Sequence, residues 1–163
     1  GEVSLASAPG RGTSVTVRIP VEPPSLAIEG EDASPARRLR VLVADDERVN
    51  QMVIVKALAN RGHEAHVAAN GLEALEALAR QRFDLVLMDV RMPVMDGLEA
   101  TRAIRAGEAG EEARGVTVAA LTAHAQEDGG DCCAEAGMDA HLGKPLELSE
   151  LDRLLSRVAR KRA

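Results

Sequence analysis

Three aspartates, a threonine and a lysine carry the chemistry open to this chain, and all of them stand at the end of a short apolar run. Asp45 and Asp46 follow Leu39-Arg40-Val41-Leu42-Val43-Ala44, and Asp89 follows Leu85-Val86-Leu87-Met88. Thr122 follows Val118-Ala119-Ala120-Leu121, and Lys144 follows Ala140-His141-Leu142-Gly143 and precedes Pro145. Carboxylates held close together repel strongly, and the usual relief is a hard cation or raised pKa values. A donor set made only of oxygen points to Mg²⁺, which takes few protein ligands and keeps several waters. No Cys or His stands beside these positions at a zinc-like spacing. A Mg²⁺ with open positions, a nucleophilic carboxylate and an ammonium are the equipment for phosphoryl transfer. Each residue also has a plainer reading. Asp45 and Asp46 could cap a helix, Asp89 could cap a turn, Thr122 could be a satisfied strand-end hydroxyl, and Lys144-Pro145 could be punctuation. Their coincidence on one edge is what favours the chemistry.

That coincidence requires a particular fold. From residue 39 the pattern alternates strand and helix five times. Strands are expected at 39–44, 64–68, 84–89, 116–121 and 140–142, and helices at 47–61, 70–80, 98–106, 131–136 and 146–160. Val49, Met52 and Val53 form an inward stripe on the first helix, and Leu72, Leu75 and Leu78 one on the second, with Asn70 as its N-cap. Gly62 and Gly137 fall where helices stop. Nearly continuous apolar strands are buried on both faces of a parallel sheet. The pattern is therefore α/β, a doubly wound (βα)5 flavodoxin-like domain with strand order 2-1-3-4-5. In such sheets ligands sit beyond the carboxyl ends of the strands, where all five candidate residues emerge.

Upstream, two runs with alternating apolar residues flank Ser7-Ala8-Pro9-Gly10-Arg11-Gly12-Thr13 and read as a β-hairpin over residues 1–20. Residues 21–38, with Pro23, Pro24 and Pro35 and several acidic residues, read as a solvated linker. The remainder, 39–163, has the size of one domain. The formal net charge of −6 argues against nucleic acid or an anionic membrane as direct partner. No apolar run approaches the roughly 18 residues of a membrane span. A single aromatic residue, Phe83, excludes base stacking. Adjacent Cys132 and Cys133, with no other cysteine, fit a reducing cytoplasm better than a disulfide framework. Gly1 in place of Met suggests a piece of a longer protein.

Two resemblances sharpen these expectations. The strings Val41-Leu-Val-Ala-Asp45-Asp46-Glu47, Asp84-Leu-Val-Leu-Met-Asp89-Val-Arg-Met-Pro-Val-Met-Asp-Gly97, Ala120-Leu-Thr122-Ala and Gly137-Met-Asp-Ala-His-Leu-Gly-Lys144-Pro resemble the receiver domain of response regulators over about residues 39–160. The string Ser7-Ala-Pro-Gly-Arg-Gly-Thr13 through Ile19-Pro20 is similar to the last hairpin of the ATP-binding domain of sensor histidine kinases. Together they imply the C-terminal end of a hybrid sensor histidine kinase, whose parent chain could be membrane-anchored. The receiver resemblance implies that Asp89 accepts a phosphoryl group from a phosphohistidine of a histidine phosphotransfer protein or a kinase dimerisation domain. Asp46, Asp89 and the Arg91 backbone carbonyl would bind Mg²⁺ directly, and Asp45 through water. Thr122 and Lys144 would hold the phosphoryl oxygens, and Arg91 and His124 would tune the lifetime of the phosphoaspartate. His141 stands where the family carries a switch Tyr or Phe. The segment 126–131, poor in helix formers, is expected to fray, since each Gly costs about 1 kcal/mol against Ala inside a helix. Two other classes remain as alternatives. A haloacid-dehalogenase-like phosphatase needs Asp-x-Asp, and Asp89 is followed instead by Val90 and Arg91. A receiver-like module that only binds would not need the five site residues.

Overall fold

The computed structural model describes residues 2–8, 12–18, 37–123 and 130–161. The chain divides into two compact units, residues 1–34 and 35–163. In the first, β1 (Glu2–Ala8) and β2 (Gly12–Arg18) pair antiparallel, with Glu2 opposite Arg18 and Ala8 opposite Gly12. This is the expected hairpin. Most of the expected linker, and Gly10 and Arg11 of the turn, lie outside the described residues.

The second unit runs β3 (Arg40–Ala44), α1 (Arg48–Ala59), β4 (Glu64–Ala68), α2 (Gly71–Arg80), β5 (Leu85–Asp89), α3 (Gly97–Ala106), a 3₁₀ turn at Glu111–Ala113, β6 (Thr117–Thr122), α4 (Gly130–Ala136), β7 (Ala140–Gly143) and α5 (Leu148–Lys161). All five strands are parallel, in the order β4-β3-β5-β6-β7. Counted from β3, that is 2-1-3-4-5. Successive side chains of a strand point to opposite faces, so each buried strand feeds two cores. On one face Leu42, Val86, Met88 and Val118 pack with Leu75, Leu78, Phe83 and Ile104. On the other Val41, Val43, Leu85, Leu87 and Leu121 pack with Ile54, Leu58, Leu151 and Leu155. Two apolar layers on one sheet explain why β3, β5 and β6 read as unbroken apolar runs.

Helix ends are fixed by local chemistry. The Asn70 side chain accepts from the Glu73 N–H at 2.9 Å and caps α2. Asp96 and Glu99 form a reciprocal capping box at α3. Gly137 ends α4 with φ +91°, a left-handed conformation that glycine adopts at little cost because it has no Cβ.

Two inward stripes expected from the sequence are corrected. Val49, Met52 and Val53 are 72%, 72% and 56% exposed, and α1 buries Ile54, Ala57 and Leu58 instead. That helix carries two apolar stripes, and the sheet accepts only one. Leu72 is also exposed, being in the first turn of α2, while Leu75 and Leu78 are buried. Residues 126–129 of the 126–131 segment expected to fray lie outside the described residues, and residues 130 and 131 begin α4.

Candidate active site

Strand register gathers the site. Ala44 pairs with Met88, Asp89 with Leu121, and Thr122 with Gly143, so four strands end level on one edge of the sheet. Asp89 is the last residue of β5 and Asp45 follows β3 directly, with its N–H donating to the Ala68 carbonyl at 3.1 Å. Lys144 follows β7, and its N–H donates to the Thr122 carbonyl at 2.7 Å.

The Lys144 ammonium joins two of the carboxylates. It donates to Asp89 Oδ2 at 2.6 Å and lies 2.8 Å from Asp45 Oδ2. Asp45 is wholly buried and Asp89 nearly so, whereas Asp46 is exposed at the mouth. One oxygen from each of Asp45, Asp46 and Asp89 lies within 4.8 Å of the others. At that separation two unit charges repel by about 3.5 kcal/mol at an effective dielectric of about 20. One lysine offsets only part of that for three carboxylates. Burial works to lower the pKa of Lys144, but hydrogen bonds and charge from Asp45 and Asp89 outweigh it and raise the value. The ammonium therefore stays charged.

Backbone geometry holds Asp89 in place. The Arg91 N–H donates to Asp89 Oδ1 at 3.2 Å. Gly97 begins α3 so close to the end of β5 that a Cβ there would meet the Asp89 carbonyl oxygen at 2.1 Å. The Asp96-Gly97 pair thus lets a helix start against the backbone of the acidic residue. Thr122 is also buried, and its Oγ1 has no hydrogen-bond partner among the described residues. A buried hydroxyl without a partner costs on the order of 1–3 kcal/mol, so it is a donor waiting for an acceptor.

The structure thus brings together Asp45, Asp46, Asp89 and Lys144, with Thr122 one residue beyond Leu121, the partner of Asp89 in the sheet. Arg91 lies exposed in the loop after β5. His141 is exposed on the edge strand β7 rather than turned into the site. His124 lies outside the described residues. Two residues that sequence reasoning passed over also reach the site. Gln51 Nε2 donates to the Asp45 carbonyl at 2.6 Å and to the Ala68 carbonyl at 3.3 Å, tying α1 to two strand ends. Asn50 Nδ2 lies 3.3 and 3.4 Å from the two oxygens of Asp45 and donates to Glu47 Oε2 at 2.8 Å. The sequence shows adjacent amides, Asn50 and Gln51, in the first turn of the helix after Asp45-Asp46, but nothing in their spacing says what they contact.

The family model of the response regulator receiver domain matches residues 41–156. The chain belongs to the response regulator receiver family. The sensor protein EvgS of Escherichia coli K12 is 35% identical over 163 residues, covering 97% of this chain and 13% of that protein. The chain thus spans about one eighth of the curated relatives it matches first. Among solved structures, the receiver domain of sensor histidine kinase PA1611 from Pseudomonas aeruginosa PAO1 is 41% identical, with a TM-score of 0.69 over 75% of this chain and 98% of that one. That crystal structure has a magnesium ion coordinated in the active-site cleft. The receiver domain of Ssk1 from Saccharomyces cerevisiae is 26% identical, with a TM-score of 0.70 over 77% of this chain and 92% of that one. It was crystallised with the histidine phosphotransfer protein Ypd1. Receiver family and receiver fold therefore coincide here.

The donor set fits Mg²⁺. Three carboxylates converge, with Asp46 open to solvent, which suits an ion that takes a few protein oxygens and keeps waters.

Proposed function

We propose that this receiver domain takes a phosphoryl group from a phosphohistidine onto Asp89. The observation that carries the reading is the Asp89 carboxylate held by Lys144 in a three-carboxylate cleft, with a buried Thr122 hydroxyl at the same sheet edge that has no partner among the described residues. In the reaction an Asp89 oxygen attacks phosphorus, the P–N bond breaks, and the imidazole nitrogen leaves with the electron pair. Lys144 keeps its charge and moves with the phosphoryl oxygens, and the Thr122 hydroxyl donates to one of them. Asp46, Asp89 and the Arg91 carbonyl would hold Mg²⁺, with Asp45 acting through water. Bound there, the ion would neutralise charge on the phosphoryl oxygens. Arg91 and His124 are assigned the control of phosphoaspartate lifetime, and His141 a part in switching.

The partner is a histidine phosphotransfer protein or the dimerisation domain of a histidine kinase. The exposed α1 stripe of Val49, Met52 and Val53 supports this, since it begins one turn past Asp46 and offers an apolar face to a helical bundle. Residues 1–20 are assigned to the end of a kinase ATP-binding domain and 39–163 to the receiver, within a hybrid sensor histidine kinase on the cytoplasmic side. No helix among the described residues is long and apolar enough to cross a membrane.

The test is an NMR titration with Mg²⁺ and beryllofluoride on the wild type and Asp89→Asn. Shifts centred on Asp89, Thr122 and Lys144 that vanish in the variant are expected. A wild type that does not respond would leave a receiver that only binds, and the proposal would be withdrawn.

A further inference from the structure

Glu47 occupies the N-cap position of α1, yet its side chain makes no capping bond to the helix. A capping carboxylate would accept from the backbone N–H of the residue three positions on, which is Asn50. Glu47 instead turns to the Asn50 side chain, whose Nδ2 donates to Glu47 Oε2 at 2.8 Å. The same Nδ2 lies 3.3 and 3.4 Å from the oxygens of Asp45. One neutral amide therefore spans two carboxylates, one wholly buried and one exposed. The Glu47 backbone strengthens the link, because its N–H donates to Asp45 Oδ1 at 2.9 Å.

This arrangement is costly without a cation. A fourth negative charge is drawn toward a pocket where three carboxylates already crowd, and an amide neutralises none of them. Among the described residues the one ammonium in the cluster, Lys144, is already engaged by Asp45 and Asp89. Helix propensity does not explain it, since an unsatisfied N-cap forfeits about 1 kcal/mol. A hydrated divalent ion would repay the cost, because its bound waters need acceptors beyond the first ring of ligands.

We infer that Asn50 is a positioning residue that holds Glu47 at the rim of the Asp45, Asp46 and Asp89 pocket, where Glu47 accepts from the waters of the bound divalent cation. The inference rests on the phosphoacceptor reading of the same pocket, and it adds a second layer to that pocket built from α1. Glu47 sets cation affinity, and Asn50 sets where Glu47 stands.

The experiment measures Mg²⁺ dissociation constants by calorimetry and by NMR titration, with no phosphoryl donor present. The proteins are wild type, Glu47→Gln, Asn50→Ala, the double variant, and Glu108→Gln as a control for loss of one exposed charge elsewhere. Glu47→Gln and Asn50→Ala are each expected to weaken Mg²⁺ binding about 3- to 10-fold. The double variant should be no weaker than the poorer single one, because the two residues act as a unit. Glu108→Gln should bind as the wild type does. Retention of wild-type affinity by Glu47→Gln overturns the inference, as does an equal loss in Glu108→Gln. An effect in Asn50→Ala alone also overturns it, since Asn50 would then serve Asp45 only. Should Asn50→Ala fail to fold, Asn50→Ser and Glu47→Gln carry the same comparison. A wild type that binds no Mg²⁺ would remove the phosphoacceptor reading itself, whereas a wild type that binds with Glu47→Gln unchanged removes only the inference.

Discussion

Val94 shows how much strain one residue in this cleft carries. It sits five residues past Asp89 with φ +70° and is 80% exposed. A β-branched side chain in the left-handed region costs about 1–2 kcal/mol, and Asn or Gly adopts it with far less penalty. An exposed valine gains no burial in return. Val94→Asn should therefore stabilise the domain by about 1 kcal/mol in urea unfolding. A variant equal to or weaker than the wild type would show that the loop relaxes the strain in solution. The neighbouring Gly97 has the opposite logic. It is glycine because a helix starts against the Asp89 carbonyl, and no side chain fits there. Asp89, Lys144 and the two aspartates after β3 were legible in sequence because each directly follows a strand, and strand ends converge in a parallel sheet. Asn50 and Glu47 were not legible, because their contact depends on an amide turning across the first turn of α1 rather than on position along a strand.

At the scale of elements, α1 decides the most. Its apolar residues fall on two stripes, Val49-Met52-Val53 and Ile54-Ala57-Leu58, each with the spacing of a buried helix face. Periodicity alone cannot say which stripe the sheet takes, and the inward assignment of the first one failed for that reason. The face left outside is the one assigned to the phosphotransfer partner. Met52→Glu removes only exposed apolar surface, so stability should stay within about 0.5 kcal/mol. Phosphotransfer from a cognate phosphohistidine should fall by at least about tenfold, read as the rate of Asp89 labelling. Labelling by a small-molecule phosphodonor should be unchanged, and equal loss with both donors would point to damage at the site rather than at docking. The turn between α1 and β4 carries a pH response of its own. His63 Nδ1 accepts the Leu39 N–H at 3.2 Å, which fastens the start of β3. Partial burial and then the Arg61 charge hold the imidazole below its usual pKa, with Asp152 opposing weakly. The folded state thus binds fewer protons here than the unfolded chain once pH drops below about 6.5. Stability from this group is present above that value and is lost as pH falls through it toward the lowered folded value. His63→Asn, which keeps an acceptor but cannot titrate, should show a smaller decline in urea midpoint between pH 7 and 5. Identical declines would clear His63 of the effect.

For the molecule as a whole, two apolar layers on one sheet make a scaffold stiff enough to carry repulsion at its edge. Central strands buried on both faces supply most of the stability, and the acidic cleft subtracts from it. Without a cation, the charge of Asp46 faces Asp45 and Asp89 with Lys144 alone among the described residues nearby to offset them. Asp46→Asn should therefore stabilise the domain in chelator, most at low ionic strength where repulsion is least screened. Mg²⁺ reverses the order. An ion that binds only the folded state stabilises it by RT ln(1 + [Mg²⁺]/Kd), about 1.4 kcal/mol at ten times Kd. For a domain of this size that is a rise of roughly 3–5 °C in Tm. The wild type should gain that increment and Asp46→Asn little of it, so the two melting curves should cross as Mg²⁺ is added. Asp46 would then be a residue that weakens the empty fold and strengthens the loaded one. If Asp46→Asn is less stable than the wild type in chelator as well, the carboxylate serves the fold rather than the cation, and the account of the cleft as stored repulsion released by metal is wrong.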